Sequence, residues 1–336
     1  MDDKELSDLN FVHVKHIMDK GINVLERIAN GQLAPLKTSI EGENRLYSLY
    51  PTDQMVIAGK PGSGKTTKML AAFKDYLNPE INPSYEDKIV IAYSSWELSA
   101  FRNSIKLLSS AARKTVNEIL DQQELVEKEQ LEALKTLAHE FNDVPLYIND
   151  KSSTARSWYD TNAKIAEMCK REGKTLITAT DHTRLVTASN AISEEQLITS
   201  LMHASVKLKN THETINLILS QLNRTYEINA KMKGIVGEEL PKEDSIFGAE
   251  SVFQTSDVVT ILHRPALFNL SSFTINNVKY KTFNSEKEDD LLLSNVVKSR
   301  FGKIGVVMIK HELKYGRFRS FTENELAIKG SNAIRL

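Results

Sequence analysis

Apolar runs and amphipathic stretches alternate along most of this chain. Runs rich in β-branched and aromatic residues, such as residues 88–94, are bounded by polar residues and are typical of buried strands. The stretches between them repeat apolar residues every three or four positions, which predicts helices. Strands are predicted at 54–58, 88–94, 145–148, 175–180, 215–220, 257–262, 291–298 and 304–310. Helices are predicted at 65–77, 98–111, 126–141, 153–172 and 194–209.

The order of these elements predicts the fold class. Strands that alternate with helices form mainly parallel, doubly wound α/β sheets, and most of the chain follows that order. The last strands, 291–298 and 304–310, lack a helix between them, which predicts a C-terminal antiparallel hairpin. Two stretches rich in Asn, Lys, Glu and Ser, 223–246 and 265–290, are predicted to be long loops, with the acidic run 286–290 exposed to solvent.

The N-terminal stretch has an amphipathic pattern of its own. Apolar residues spaced by three and four, from Phe11 to Ile28, predict one helix over residues 9–29. We therefore expect a linker or oligomerisation helix in residues 1–35 and an α/β domain in residues 36–336. Because the apolar stripe has no obvious partner in its own domain, the helix is predicted to pack on a second subunit. The alternative is that it folds back on its own core.

The composition is that of an ordinary globular protein, since 41% of the 336 residues are hydrophobic and 26% are charged. The 43 basic and 44 acidic residues give a net charge of −1, which excludes the whole-protein basic footprint of a monomeric nucleic-acid binder. A local surface, such as the channel of a ring, would have to bind nucleic acid. Cys169 is the one cysteine and no apolar run is long enough to span a bilayer, so a cytoplasmic protein is expected.

A glycine-rich segment directly after the first predicted strand carries the clearest chemistry. Residues 59–67 complete the phosphate-binding pattern G-x-x-x-x-G-K-[ST] between a strand and a helix, the context that this motif requires. Backbone N–H groups would point at phosphate oxygens, Lys65 would reach the β and γ phosphates, and Thr66 would hold Mg²⁺. The alternative is a glycine-rich turn without a ligand. The predicted nucleotide-binding residues are Gly59, Pro61, Gly62, Ser63, Gly64, Lys65, Thr66 and Thr67.

Polar residues follow three further predicted strands. Asp181 follows the strand at 175–180, which we expect to lie beside the strand that leads into the phosphate loop, so that its carboxylate organises Mg²⁺. Glu97 follows another buried strand and either activates the attacking water or caps the next helix. Gln221 follows the strand at 215–220 and either hydrogen-bonds the γ-phosphate or is a plain polar strand end.

Two sets of cations are candidates for phosphate contacts. Lys298 and Arg300 lie at the predicted turn between the last two strands, and they form either a basic hairpin turn or a contact with an adjoining subunit's phosphates. Basic residues in the loops 183–193 and 223–250 are expected to face nucleic-acid phosphates. These residues are Arg184, Arg224, Lys231 and Lys233.

The order and spacing of these segments resemble one family, the DnaB-like replicative helicases with a RecA-type motor. The resemblance covers residues 40 to about 320. It rests on the phosphate loop, Tyr93-Ser94-Ser95-Trp96-Glu97-Leu98-Ser99, the Asp181 strand, Ser220-Gln221-Leu222-Asn223-Arg224, the stretch from Gly248 to Asp257, and Lys298-Ser299-Arg300. It implies a RecA-like P-loop NTPase fold that uses ATP and Mg²⁺.

The resemblance also implies roles for single residues. Glu97 would be the hydrolytic base, Asp181 the Mg²⁺ organiser, and Gln221 the link between the γ-phosphate and the DNA loops. Lys298 and Arg300 would form a finger that acts in trans on the ATP of a neighbouring subunit.

The resemblance also bears on Arg264, on residues 246–250 and on the residues that follow Asp181. Arg264 falls where related ring helicases stack an arginine on the nucleotide base. Residues 246–250 fall on the family's DNA-contacting loop, where Phe247, next to Gly248, replaces an expected arginine. Asp181 is followed by His182-Thr183-Arg184 rather than the family's usual Tyr-Leu-Gln, so the loop beyond that strand is expected to differ.

The function that the resemblance implies is an ATP-dependent, ring-shaped replicative DNA helicase, expected to be a hexamer in a bacterial cell or a phage-infected host. It would translocate 5′→3′ on single-stranded DNA, with a helicase loader or a primase as a further partner. The chain begins about where the linker helix of such a protein begins, so a separate N-terminal helical domain is expected to be absent. The alternatives are a RecA-type or clock-type ATPase that acts in recombination or signalling without strand separation, and an inactive ATP-binding scaffold.

Overall fold

The computed structural model describes residues 11–121, 128–181, 187, 193–223 and 239–330. Its helices are α1 (Val14–Ala29), α2 (Glu41–Asn44), α3 (Lys65–Tyr76), α4 (Ala100–Ala112), α5 (Val116–Leu120), α6 (Lys128–His139), α7 (Ala155–Arg171), α8 (Glu194–His212), α9 (Ala249–Thr255) and α10 (Glu323–Lys329). Its strands are β1 (Gln54–Gly59), β2 (Ile89–Ser95), β3 (Leu146–Asn149), β4 (Thr175–Asp181), β5 (Ile215–Gln221), β6 (Val258–His263), β7 (Ser272–Ile275), β8 (Val278–Lys281), β9 (Leu291–Ser299), β10 (Gly305–Glu312) and β11 (Arg317–Ser320). Every predicted strand and helix is found, most with ends within one or two residues of the prediction.

Within the described residues, nine strands form one mixed sheet in the order β11-β10-β9-β6-β1-β5-β4-β2-β3. The strands from β6 to β3 are parallel to one another. In contrast, β9, β10 and β11 are each antiparallel to their neighbours. This sheet confirms the predicted doubly wound α/β class with antiparallel strands near the C-terminus. The antiparallel part contains β11 in addition to the two predicted strands.

The stretch 265–290 is not the long loop that its composition predicts. It contains a 3₁₀ turn at Pro265–Phe268 and an antiparallel hairpin of β7 and β8. The predicted solvent exposure of the acidic run is wrong for Asp289 and Asp290, whose side chains are 10% and 6% exposed. Asp289 contacts Arg264, and Asp290 pairs with a lysine of α10. These partners are far away in the sequence, so the local composition did not reveal them. The other predicted loop, which ends at residue 246, lies mostly outside the described residues.

Helices cover both faces of the central sheet. Met69 and Phe73 of α3 pack in one core together with alternate residues of β1, and the segment that follows α1 adds Leu33 and Leu36 to this core. Ile198 of α8 packs on the other face. Every residue of β1 and β2 is buried, as expected for strands covered on both faces, and this explains their continuous apolar runs.

Helix α1 lies largely outside these cores. None of its residues is buried, and it contacts its own domain through Val24, which packs against the core, and Lys20, which pairs with Glu213. Its apolar stripe stays open to solvent in the single chain, with Leu25 60% exposed. In the described part of the chain no helix, α1 included, is both long and apolar enough to cross a membrane.

A buried carboxylate ties α2 to the helix that follows the phosphate loop. Glu43 is 0% exposed, and its Oε2 accepts a hydrogen bond from the Nζ of Lys68 in α3 at 2.9 Å. Tyr47 donates to the same oxygen at 3.2 Å, and Ser294 of β9 donates to Oε1. Because both charges of the ion pair are removed from water, each one depends on the other. Glu43 thereby fixes α3 relative to the strands.

We expect Glu43→Ala to lower the free energy of unfolding by roughly 3–5 kcal/mol, because it leaves Lys68 buried without its counter-charge. Urea denaturation followed by circular dichroism measures this change. The matched control is Glu41→Ala in the same helix, because Glu41 forms an exposed ion pair with Arg45 and its loss should cost about 0.5 kcal/mol or less. Equal losses for the two variants would show that the buried pair does not hold α3.

Candidate functional site

The parallel strands bring four predicted site residues to one edge of the sheet. β1 ends at Gly59 of the phosphate loop, β4 ends at Asp181, β5 ends at Gln221, and Glu97 lies two residues beyond β2. The carboxyl ends of parallel strands share an edge, and ligands of open α/β sheets bind there. Gly59 and Gln221 are direct partners in the sheet register. The structure therefore brings these predicted residues together.

The phosphate loop turns sharply between β1 and α3. Gly62 and Gly64 have φ values of +80° and +93°, a left-handed conformation that residues with a side chain rarely adopt. A Cβ at Gly64 would also lie 2.6 Å from Leu313. The backbone path therefore requires both glycines. Helix α3 begins directly after them at Lys65, so its free N-terminal amides face the loop.

Lys65 is held by its own loop. Its Nζ donates to the carbonyl oxygen of Gly59 at 2.7 Å and to that of Lys60 at 3.1 Å. Burial lowers the pKa of Lys65 to about 8, and the carboxylates of Asp181 and Glu97 act in the opposite direction. An anion that enters the loop would replace the lost hydration of the ammonium group, so it would favour the protonated form.

Thr66 and Asp181 meet although β1, the strand that leads to Thr66, is not adjacent to β4 in the sheet. Thr66 Oγ1 donates to Asp181 Oδ2 at 2.8 Å. The expectation that the Asp181 strand lies beside β1 is wrong, because β5 is inserted between β1 and β4. The hydroxyl and the carboxylate nevertheless come together, since Thr66 reaches across from the first turn of α3.

Tyr93 belongs to this site, although no role was predicted for it from the sequence. It lies in β2, next to β4, and its hydroxyl donates to the same Oδ2 of Asp181 at 3.1 Å. Burial raises the pKa of Tyr93, so its hydroxyl keeps its proton and remains a donor. Asp181 is 1% exposed and is oriented by two hydroxyl groups. A tyrosine in a buried strand is usually a core residue, and its partner is 88 positions away, so the sequence offered no signal.

Lys106 is a second cation near these carboxylates and was also not predicted. It lies in α4, the helix that follows Glu97, and is half-buried. Burial lowers the pKa of Lys106, and its interactions with Asp181 and Glu97 oppose that shift. Glu97 itself is exposed. Two lysines and two carboxylates therefore interact electrostatically at this edge of the sheet.

The backbone connects the end of β5 with the segment 246–250. The N–H of Phe247 donates to the carbonyl oxygen of Gln221 at 2.9 Å. Phe247 is half-buried and packs against the core under β6, and Gly248 has a φ of +67° as the N-cap of α9. The other residues expected to face nucleic acid lie outside the described residues, and they are Arg184, Arg224, Lys231 and Lys233.

Arg264 follows β6 and contacts the tip of the phosphate loop. One guanidinium nitrogen donates to the carbonyl oxygen of Gly62 at 3.0 Å, and Nε pairs with Asp289. Burial acts to raise the pKa of Asp289, but His311 and Arg264 outweigh burial and hold this pKa below its usual value. The guanidinium is thus anchored to a charged carboxylate while it supports the loop.

Arg300 lies at the opposite edge of the sheet. Because β9 is antiparallel to β6, its carboxyl end meets the amino ends of the parallel strands. A guanidinium nitrogen of Arg300 lies 3.1 Å from Asp257 Oδ1, and the N–H of Gln54, the first residue of β1, donates to the other oxygen at 2.9 Å. The six residues of β1 span roughly 20 Å, so Arg300 cannot reach the phosphate loop of its own chain.

Lys298 is placed differently from the prediction. It is the penultimate residue of β9 rather than part of the turn, and its Nζ donates to the carbonyl oxygen of Phe253 and lies 5.0 Å from the centre of that ring. Burial lowers the pKa of Lys298, and the neighbouring Arg300 adds to this shift. Helix α9 therefore holds Lys298 close to Arg300.

The groups at the carboxyl edge fit a nucleotide with Mg²⁺. The loop offers a lysine and the amides of a helix N-terminus, and a threonine hydroxyl lies 2.8 Å from a buried carboxylate. Protein sites for Mg²⁺ with nucleotides supply one or two oxygens and leave the rest to water and phosphate. Among the residues that the structure describes, no group of three or more His, Cys, Asp and Glu side chains could hold another metal ion.

Comparisons with known proteins agree with this architecture. The chain is 22% identical over 320 residues to the replicative DNA helicase DnaB of Pasteurella multocida (strain Pm70), and this match covers 91% of the chain and 61% of that protein. It is 21% identical over 318 residues to the replicative DNA helicase DnaB of Haemophilus influenzae, and this match covers 94% of the chain and again 61% of the relative. The chain thus spans about three fifths of the length of these relatives.

Solved structures show the same fold. One solved ATPase domain superposes with a TM-score of 0.71 at 18% identity and covers 91% of this chain and 99% of that one. A DnaB-like replicative helicase, solved to describe its interactions with primase, superposes with a TM-score of 0.70 at 19% identity, covering 90% of this chain and 66% of that one. Residues 38–320, well over half of the chain, match the sequence model of the DnaB-like helicase C-terminal domain. The chain belongs to the DnaB-like helicase C-terminal domain family.

Proposed function

We propose that this chain is the ATP-hydrolysing motor of a ring-shaped replicative DNA helicase that moves 5′→3′ along single-stranded DNA. One observation carries the proposal: the groups that fit Mg²⁺ and nucleotide lie at one edge of the sheet, and a candidate arginine finger lies at the other. A motor built in this way completes each active site between two copies. The family and the two DnaB relatives support the same function.

The residues at the carboxyl edge have different roles in binding ATP and its Mg²⁺. The phosphate loop, from Gly59 to Thr67, cradles the phosphates, and Lys65 exchanges its two carbonyl partners for phosphate oxygens. Thr66 and Asp181 would hold Mg²⁺, and Tyr93 keeps the carboxylate in place. When bound, Mg²⁺ neutralises charge that develops on the phosphates.

Glu97 is the base in this proposal, and it takes a proton from the attacking water. Its exposure suits that role, because water must reach it from outside the sheet. Gln221 links the nucleotide to DNA, since its side chain starts beside Gly59 and its carbonyl oxygen bonds to Phe247 in the segment proposed to contact DNA. Arg264 would lie beside the nucleotide base from its fixed position at Gly62.

Assembly is part of the proposal, with six copies in the ring. The exposed apolar stripe of α1 would be buried against a neighbouring copy, because burial of apolar surface is the main favourable term in association. DNA would pass through the centre of the ring, and the residues proposed to contact it are Phe247, Gly248, Arg184, Arg224, Lys231 and Lys233. A helicase loader or a primase is proposed as a further partner. The comparisons favour this function over an ATPase of recombination or signalling, since the relatives named above are replicative helicases.

The purified chain should form a discrete ring with ATP and single-stranded DNA and should unwind a forked duplex.

Lys65→Ala should abolish hydrolysis and unwinding while the fold stays intact, because it removes the positive charge that would contact the phosphoryl group during its transfer. Glu97→Gln should keep nucleotide binding and lose hydrolysis. Native mass, phosphate release and strand separation measure these outcomes. A wild-type chain that hydrolyses ATP without separating strands would support the alternative ATPase, and normal turnover in Lys65→Ala would contradict the phosphate-loop assignment.

Arg300→Ala should bind ATP normally and hydrolyse it more slowly by roughly 10³-fold or more, as for other arginine fingers. Lys298→Ala should show a milder loss, because an ammonium group lacks the forked geometry of guanidinium. In mixed rings of Arg300→Ala and Lys65→Ala chains, some interfaces contain an intact Lys65 and an intact Arg300, so part of the activity should return. Phosphate release at varied mixing ratios measures this recovery.

The control for the mixing experiment is Arg156→Ala, which removes a cation that is 92% exposed on α7 and should leave hydrolysis unchanged. Co-assembly of the two chain types is verified by native mass spectrometry. If no ratio restores activity in rings that contain both chain types, the trans role of Arg300 is refuted.

ATP binding should take up a proton above about pH 8. Lys65 without nucleotide has a pKa of about 8, so it is mostly neutral at higher pH, and bound phosphates would raise this pKa because they favour the ammonium form. Affinity should therefore fall as pH rises through 8 and beyond. Calorimetry in buffers of different ionisation enthalpy measures the uptake. The proton uptake should be smaller in Lys65→Met. The part that remains should come from Lys106, whose pKa is also lowered by burial. Unchanged uptake in Lys65→Met would assign the proton to another group.

A further inference from the structure

The turn that joins β9 to β10 exposes two large apolar side chains. Phe301 is 91% exposed and Ile304 is 69% exposed. Phe301 is more exposed than any other large hydrophobic side chain in the described part of the chain. A single exposed hydrophobic residue is common on protein surfaces, so exposure alone does not define a binding site.

The backbone of this turn is fixed at both ends, which distinguishes it from an ordinary exposed loop. The N–H of Arg300 donates to the carbonyl oxygen of Asp257 at 2.8 Å, and the N–H of Lys303 donates to that of Leu46 at 2.7 Å. Gly302 lies so close to Leu46 that a Cβ there would overlap its carbonyl oxygen. The turn therefore presents Phe301 in a preset position, and binding through it would cost little conformational entropy.

The position of the turn indicates which molecule would cover Phe301. Its neighbour Arg300 is the residue proposed to reach the nucleotide site of the next copy, and consecutive Cα atoms are about 3.8 Å apart. A surface that receives Arg300 therefore comes close to Phe301 as well. The occupant that this continuity selects is a second copy of the same chain, met at the carboxyl edge of its sheet.

The receiving edge offers an aromatic partner. Phe101, in the first turn of α4 and four residues after Glu97, is 58% exposed, and the guanidinium of Arg102 lies 6.0 Å from the centre of its ring. Phe101 is therefore close in the chain to the proposed base, at the edge of the sheet where a residue adjacent to an arginine finger would arrive. Aromatic rings are favoured anchors of interfaces, because they bury much apolar surface with few rotatable bonds.

We propose that Phe301 is the aromatic anchor of the contact between copies and packs against Phe101 of the neighbouring copy. The inference rests on the proposed function, because the neighbour is the one whose active site Arg300 completes. In this arrangement Phe301 excludes water beside the nucleotide site and sets the depth to which the turn enters it. Arg300 supplies the charge, and Phe301 holds the turn where that charge is needed.

The test is the concentration dependence of assembly, measured by sedimentation velocity with a non-hydrolysable ATP analogue and a deoxythymidine oligonucleotide. Phe301→Ala should require a protein concentration at least about tenfold higher for half-assembly, as expected when an aromatic anchor is truncated. Phe101→Ala should show a similar shift. The double variant should need no higher concentration for half-assembly than the more strongly impaired of the two single variants, because the two rings contribute one shared contact. Thermal unfolding of every variant should match the wild type, since both side chains are exposed.

Ile328→Ala is the matched control, because Ile328 is 76% exposed on α10, and α10 pairs through Glu325 with Lys310 in the later half of β10 rather than with the turn that precedes this strand. Its loss should leave assembly unchanged. Wild-type assembly of Phe301→Ala would overturn the inference. Additive losses in the double variant would overturn the pairing with Phe101. Normal assembly with weaker oligonucleotide binding would also overturn it, since Phe301 would then contact DNA. A wild-type chain that remains monomeric would contradict the proposed function as well, whereas an intact ring with an unaffected Phe301→Ala contradicts this inference alone.

Discussion

The direction of the strands is the constraint on which the rest of this structure depends. Parallel strands all end at the same edge of the sheet. For this reason β1, β2, β4 and β5 bring a phosphate loop, two carboxylates and a glutamine together without any additional structural element. The antiparallel strand β9 obeys the same geometry in reverse and carries Arg300 to the far edge. The separation of the two groups is therefore a property of the topology and not of any single side chain.

Buried polar contacts fix this arrangement at both edges. Near the phosphate loop, Glu43 holds Lys68 of α3 and receives Ser294 of β9, so the helix that carries the loop is tied to the antiparallel strands. At the far edge, Asp257 accepts hydrogen bonds from Lys209 and from the first amide of β1 while it contacts Arg300. Each carboxylate joins elements that are far apart in the sequence. Such contacts are costly to break, because they leave a charge buried without a partner.

The sequence predicted local features well and long-range neighbours less well. The strand predicted at 88–94 is present as β2, shifted by one residue. It was predictable because a strand covered on both faces requires a continuous apolar run. The neighbour of β4 was predicted wrongly, since strand order is set by packing among distant segments. Tyr93 was missed and Asp289 was misjudged for the same reason: their partners, Asp181 and Arg264, are far away in the chain.

When one copy offers its far edge to the carboxyl edge of the next, the two surfaces in contact are different. Contacts of this kind continue from copy to copy, and they end either in an open row or in closure. An open row always has one terminal copy whose nucleotide site receives no arginine and another whose arginine has no site to enter. Closure removes both ends at once. If Arg300 acts in trans as proposed, the placement of Lys65 and Arg300 at opposite edges makes every site in the closed ring complete, whereas a row of the same copies that does not close always has one incomplete site.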